Sequence, residues 1–179
     1  MASTPNEILL HDAAVAGDAA TTARLIFGGI NMYHENIRTG LIVPVFQAML
    51  SDNTNVAMVY INHPEFNLEI KDYIGCGLIH YAAGMYDVTV LRHLLENGVN
   101  VNSLSNKNET PLVDAVASNR LENIRLLMEF GADPFIKNIN DQNIFDIIND
   151  PKYCIKNGNE IIELINSYVG EDVKEPGVL

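Results

Sequence analysis

The chain has 179 residues, 47% of them hydrophobic, and its 23 acidic against 11 basic side chains give a formal net charge of −12. That length is one domain's worth of chain, and the apolar share is ample for a packed core. The acidity works against gripping nucleic-acid phosphates, and it favours solubility and contact with a basic protein.

In chain order, Met1 to Glu7 has no basic region, and the apolar Ile8-Leu9-Leu10 is interrupted by His11 and Asp12, so neither a signal peptide nor a membrane span is expected. Ile8 to Ala14 then reads as a first helix, and Gly28-Gly29 as the end of a second. No strand precedes those glycines and no Lys-Ser/Thr follows them, so they are not a phosphate loop. Val43-Pro44-Val45-Phe46-Gln47-Ala48 opens the next helix, and one extra residue falls near Asn62 to Phe66. The clearest stretch runs Asp72, Gly75, then Gly77-Leu78-Ile79-His80-Tyr81-Ala82-Ala83, with a second apolar run from Val88 to Leu95 and Gly98 just beyond it. Gly98 stands where a helix end needs a residue tolerant of positive φ. Thr110-Pro111-Leu112-Val113-Asp114-Ala115 repeats the pattern, with Thr110 placed as N-cap and Pro111 at the first helical position. Asn143-Ile144-Phe145-Asp146-Ile147 opens a last unit, which carries about five extra residues around Lys152 to Gly158 before a helix over Glu160 to Val169. The openings fall at 8, 43, 77, 110 and 143, in steps of 35, 34, 33 and 33. A fixed period of this kind signals a solenoid whose units bury their apolar faces against one another.

This pattern resembles the ankyrin repeat, whose period and Thr-Pro-Leu-His-x-Ala motif are matched best in the third and fourth units. The resemblance covers residues 6–169 and implies an all-α solenoid of about five stacked helix-turn-helix repeats with short connecting hairpins. Residues 1–169 are read as one domain, with repeats at roughly 6–37, 38–71, 72–104, 105–137 and 138–169, and residues 170–179 as an acidic, frayed tail. Small Ala82 and Ala83 suit close stacking between units. The family also implies that His11 and His80, which share one slot, brace the hairpins through backbone hydrogen bonds.

Catalysis needs polar groups that converge, whereas here they recur by period. No catalytic, cofactor-binding or metal-binding residue is expected. Cys76 and Cys154 form no CxxC pair and sit two units apart, about 20 Å if each unit advances roughly one helix diameter. They are too far apart for a disulfide, and a reducing compartment, most simply the cytoplasm, follows. A rival enzymatic site would lie in the fifth unit, around Asp146, Asp150 and Tyr153.

Ankyrin proteins usually meet partners with their hairpin tips and the concave face of the first helices. Slot by slot, the resemblance places Ile42, Tyr73, Ile74, Cys76, Met85, Tyr86, Asn106, Lys107, Glu109 and Ile139 at such a surface. Tyr73, Ile74 and Met85 are apolar where the framework makes no demand, which marks an interface centre. Asn106, Lys107 and Glu109 would form its polar flank. The expected function is non-catalytic protein binding by a monomer that blocks or chaperones a basic partner, as an inhibitor or immunity-type protein does. A host-directed adaptor is the alternative.

Overall fold

The computed structural model describes residues 4–34 and 43–169. The proposed contact at Ile42 and the tail at 170–179 lie outside the described residues. Within them, ten α-helices fall into five consecutive pairs: α1 (Pro5–Ala16) with α2 (Ala19–Phe27), α3 (Pro44–Leu50) with α4 (Thr54–Ile61), α5 (Leu78–Gly84) with α6 (Thr89–Glu96), α7 (Pro111–Ala117) with α8 (Leu121–Glu129), and α9 (Ile144–Asn149) with α10 (Gly158–Asn166). The first helices stack in chain order, α1 on α3, α3 on α5, α5 on α7 and α7 on α9. Among the described residues the one β-type pairing outside helices is an isolated antiparallel bridge between Lys71 and Gly77, at the base of a hairpin.

Local chemistry sets the helix ends. Proline stands in the first turn of α1, α3 and α7, where its missing N–H costs nothing. Thr4 and Glu7 form a reciprocal capping box on α1, and Asn143 and Asp146 form one on α9. Thr110 holds the N-cap position of α7 in an extended conformation, but its side chain makes no capping bond there. Gly98 and Gly131 end the second helices of units three and four with φ of 81° and 83°, a conformation that a Cβ disfavours. In the fifth unit the extra residues form a 3-10 turn (Pro151–Tyr153) ahead of α10.

Apolar side chains between the stacked helices make one continuous core. Ala82 and Ala83 are both fully buried in it, as close stacking requires. Asn123 is buried too, and its amide donates to the carbonyls of Ala82, Ala83 and Met85 at 3.3, 2.9 and 2.8 Å. A side chain of unit four thereby satisfies the open end of a helix of unit three.

Candidate functional site

The hairpin tips are built by one device repeated every 33 residues. Asp72 Oδ1 accepts from the N–H groups of Ile74 and Cys76, Ser105 Oγ from those of Lys107 and Glu109, and Asn138 Oδ1 from those of Asn140 and Gln142. Each is a side chain bonding its own backbone to close a turn. The left-handed residues of these turns, Gly75, Asn108 and Asp141, keep the same spacing. Successive tips are tied by main-chain bonds, Asn106 N–H to Ile74 O at 2.9 Å and Ile139 N–H to Lys107 O at 3.0 Å. A side chain at Gly75 would collide with Asn106, so the glycine permits this contact.

The tips therefore bring Tyr73, Ile74, Asn106, Lys107 and Ile139 into one row. Tyr73 is 74% exposed, Ile139 62%, and Ile74 is exposed as well. Cys76 is half-buried beneath the row, and Glu109 is partly exposed beside it. Tyr86, 75% exposed, lies apart on the turn between α5 and α6. Met85 does not join the surface: it is 2% exposed. Its residue caps the end of α5, and its side chain turns into the core while its carbonyl accepts from Asn123. The slot comparison treats that helix end as open, whereas the short α5 folds it inward.

Between the tips and the helix-helix turns runs a groove of about 440 Å³, with Met49, Ile74, Tyr81, Gly84, Asp114 and Ser118 in its wall. Asp52 and Arg120 also border it. Arg120 Nε donates to Gly84 O at 2.9 Å, and its guanidinium lies 3.3 Å from the centre of the Tyr86 ring. This cation–π contact holds both side chains at the rim. Tyr81 donates its hydroxyl to Asp72 Oδ2 at 2.6 Å.

Electrostatics in the groove run toward neutral forms. Burial, then the negative charges of Asp114, Asp72 and Glu109, pushes the Cys76 thiol up to about 12, so it is not an activated nucleophile. Burial, then Glu109 and Asp72, raises Asp114 to about 8. Burial raises Tyr81 as well, with the bond to Asp72 adding to it. Burial lowers His80, whose Nδ1 accepts from Gly77 N–H at 3.1 Å, so that Nε2 donates to Glu109 O at 3.2 Å. Both nitrogens serve the backbone, as the resemblance implies.

The rival site in the fifth unit is taken up by structure. Asp146 accepts from Asn143 N–H, and Asp150 accepts from Lys152 N–H and from the Gln142 amide. The first of those bonds to Asp150 lowers its pKa most, the opposite of a desolvated acid. No group of three or more His, Cys, Asp or Glu among the described residues could hold a metal ion, and no helix there is long and apolar enough to cross a membrane. Both cysteines are free thiols.

Sequence reasoning missed Asp114, Arg120 and Asn123 as determinants. Asp114 had a signal, being the lone acid in the otherwise apolar helix Pro111–Ala117. Arg120 and Asn123 had none, because their partners are carbonyls of another unit.

The family described as ankyrin repeats (three copies) matches residues 10–138. Three relatives are similar over shorter or weaker stretches. Human BCL-6 corepressor-like protein 1 is 36% identical over 72 residues, 40% of this chain and 4% of its own length. An ankyrin repeat protein of Acanthamoeba polyphaga mimivirus is 37% identical over 79 residues, 44% of this chain and 25% of its own. One from fowlpox virus (strain NVSL) is 23% identical over 119 residues, 66% of this chain and 81% of its own. The chain thus spans only a small part of the first two of these relatives.

Proposed function

The chain belongs to the ankyrin-repeat family, and from that premise we propose that it is a non-catalytic module that holds a basic protein partner along its hairpin tips and concave groove. Repeats of this family typically serve protein–protein interaction rather than catalysis. The observation that carries the reading is the row of bonded tips with Tyr73, Ile74 and Ile139 exposed along it. Apolar side chains on a surface fixed by main-chain bonds offer contact area without a large ordering cost.

A basic partner is favoured by the net charge of −12 and by the carboxylates of Asp52 and Glu109 in or beside the groove. The module acts by occupying or chaperoning that partner, in the manner of an inhibitor or immunity-type protein, as a monomer in a reducing compartment.

The test is to pass native lysate over the immobilised chain, identify the captured protein, and repeat with Tyr73→Ala and, as a flank control, Lys107→Ala. Tyr73→Ala is expected to weaken capture about thirtyfold at an unchanged melting temperature, and Lys107→Ala far less. A partner that both variants hold as tightly as the parent, or one that is acidic, overturns the reading.

A further inference from the structure

The groove beside the tip row contains a carboxylate to which no described residue is bonded. Asp114 stands on α7 among proline, leucine, valine and alanine, partly buried in the wall of the groove that it lines. No hydrogen bond or ion pair reaches its side chain among the described residues. After burial, the influences on it are the charges of Glu109 and Asp72, themselves negative. Arg120, the cation on the same groove, is held at the rim by Gly84 O and the Tyr86 ring and makes no ion pair with Asp114. A partly buried carboxylate under the influence of two other acids, with no cation paired to it among the described residues, is favoured to accept one from outside.

We propose that this groove is a lysine seat: one lysine of the basic partner lays its methylene stem along Met49, Ile74 and Tyr81 and sets its ammonium on Asp114 and Ser118. The inference rests on the protein-binding reading above and names the chemistry that the groove recognises. The donors decide between the two basic side chains. An ammonium has three, which the two Asp114 oxygens and the Ser118 hydroxyl accommodate. A guanidinium would pair with the Asp114 carboxylate through two donors of its rigid plane and leave three to be solvated against a largely apolar wall. Gly84 stands close to that hydroxyl, and a Cβ there would come within 3.2 Å of Ser118 Oγ and crowd it. The apolar wall covers the stem, in the usual way that long charged side chains lie on apolar surface.

Seating a lysine has a proton balance. Asp114, with its pKa at about 8, holds its proton at neutral pH, and the arriving ammonium displaces that proton to solvent. Affinity therefore rises between about pH 6 and pH 8.5, where the lysine itself stays charged. The other titratable and charged groups facing the seat are Asp72, Cys76, Glu109 and Lys107 from the hairpins, His80 and Tyr81 from α5, and Asp52 and Arg120 from the turns.

The experiment titrates the full-length, nitrogen-15-labelled chain with a blocked Gly-Gly-Lys-Gly-Gly peptide, following the amides of Cys76, Gly84 and Ser118 by NMR. The acetyl-lysine and arginine versions of the peptide serve as comparisons. The lysine peptide is expected to saturate these shifts at about millimolar concentration, as befits a single charge-assisted contact. Acetyl-lysine should bind at least tenfold more weakly, and affinity should be several-fold higher at about pH 8.5 than at about pH 6. Asp114→Asn should abolish the response while the variant melts no lower than the parent. Equal binding of acetyl-lysine, tighter binding of arginine, or full binding by Asp114→Asn overturns the seat. The peptide comparison uses the unaltered chain and so stands whatever the variant does. A captured partner that depends on Tyr73 but ignores Asp114→Asn removes the seat and leaves the module. A lysine response with no Tyr73 dependence of the partner does the reverse.

Discussion

His80 and His11 fill the same slot of units three and one, yet of the two only His80 has both ring nitrogens engaged. In unit three α5 begins at Leu78, which leaves the Gly77 N–H for His80 Nδ1, while Nε2 reaches Glu109 O of the next hairpin. In unit one the helix begins earlier, at Pro5, so position 8 lies inside it and the Ile8 N–H bonds Thr4 O at 3.1 Å. His11 Nδ1 is left buried without a partner, and Nε2 keeps only its 2.9 Å contact with His34 O. The bond that reaches forward along the chain survives in both units. The bond within the unit is given up where a longer helix satisfies the backbone by itself. Side chains cross to the neighbouring unit at the centre and at the first unit alike, and the first unit also closes its backbone with its own longer helix.

The sharpest way to break this comparison is a pair of asparagines. Asn123 is buried and serves three carbonyls of unit three. Asn53, partly exposed, serves the carbonyls of Ala14 and Val15 at 2.7 and 3.0 Å. Asn123→Ala strands buried carbonyls and should cost about 3 kcal/mol, while Asn53→Ala should cost about 1 kcal/mol because water can replace it. Thermal melts should separate the two by roughly 4–8 °C at this chain length. Equal losses would mean that the centre and the first unit are held alike.

Asp114 gives the centre a pH dependence of its own. Its folded pKa of about 8 is raised above the ordinary 3.8, so between those values the folded chain keeps a proton that the unfolded chain has released. This contribution to stability is full below about pH 4, falls as pH rises, and is lost above about pH 8. Asp114→Asn removes that slope. Its stability relative to the parent should grow steadily from about pH 5 to pH 7 and level off above about pH 8. A constant difference across parallel melts at those pH values would show that the carboxylate is open to water.

The two histidines provide a finer comparison. His80→Ala unpairs Gly77 N–H and Glu109 O, while His11→Ala releases one bond and removes an unsatisfied nitrogen. The first should be more costly by about 1 kcal/mol in urea unfolding. Burial lowers the pKa of both, so the stability that each contributes is present above about pH 6.5 and lost as pH falls. A parent chain that is as stable at about pH 5 as at about pH 7 would argue against neutral, buried rings, unless the Asp114→Asn background unmasks the slope.

The period was legible because stacking demands the same residue types at every step: small Ala82 and Ala83 in the core, Gly98 and Gly131 at helix ends. The exposed tips at Tyr73 and Ile139 were legible for the opposite reason, since nothing in the framework asks for them. Met85 was misread because its burial depends on how α5 ends and on Asn123, 38 residues away. The tip device at Asp72, Ser105 and Asn138 keeps the period but not the residue type, so only its geometry reveals that three different side chains do one job. Arg120 on Gly84 O was out of reach for the same reason as Asn123: a carbonyl has no sequence signature.

The smallest effect on the fold tests the tips themselves. Tyr73 is exposed at a turn whose closure depends on Asp72 Oδ1 and on the main-chain bond from Asn106 to Ile74 O, and neither involves the Tyr73 side chain. Its carbonyl accepts from the Asn106 amide at 3.2 Å, a contact that alanine keeps. Tyr73→Ala should therefore change stability by less than about 0.5 kcal/mol, within the range of ordinary surface substitutions. Gly75→Ala, two residues on, is the informative contrast: φ is 78° there and the added methyl would strike Asn106. That change should unfasten the two tips and lower the melting point measurably while leaving the tyrosine in place. If Tyr73→Ala is the more destabilising of the pair, the ring belongs to the framework, and the tip row loses its standing as a free surface.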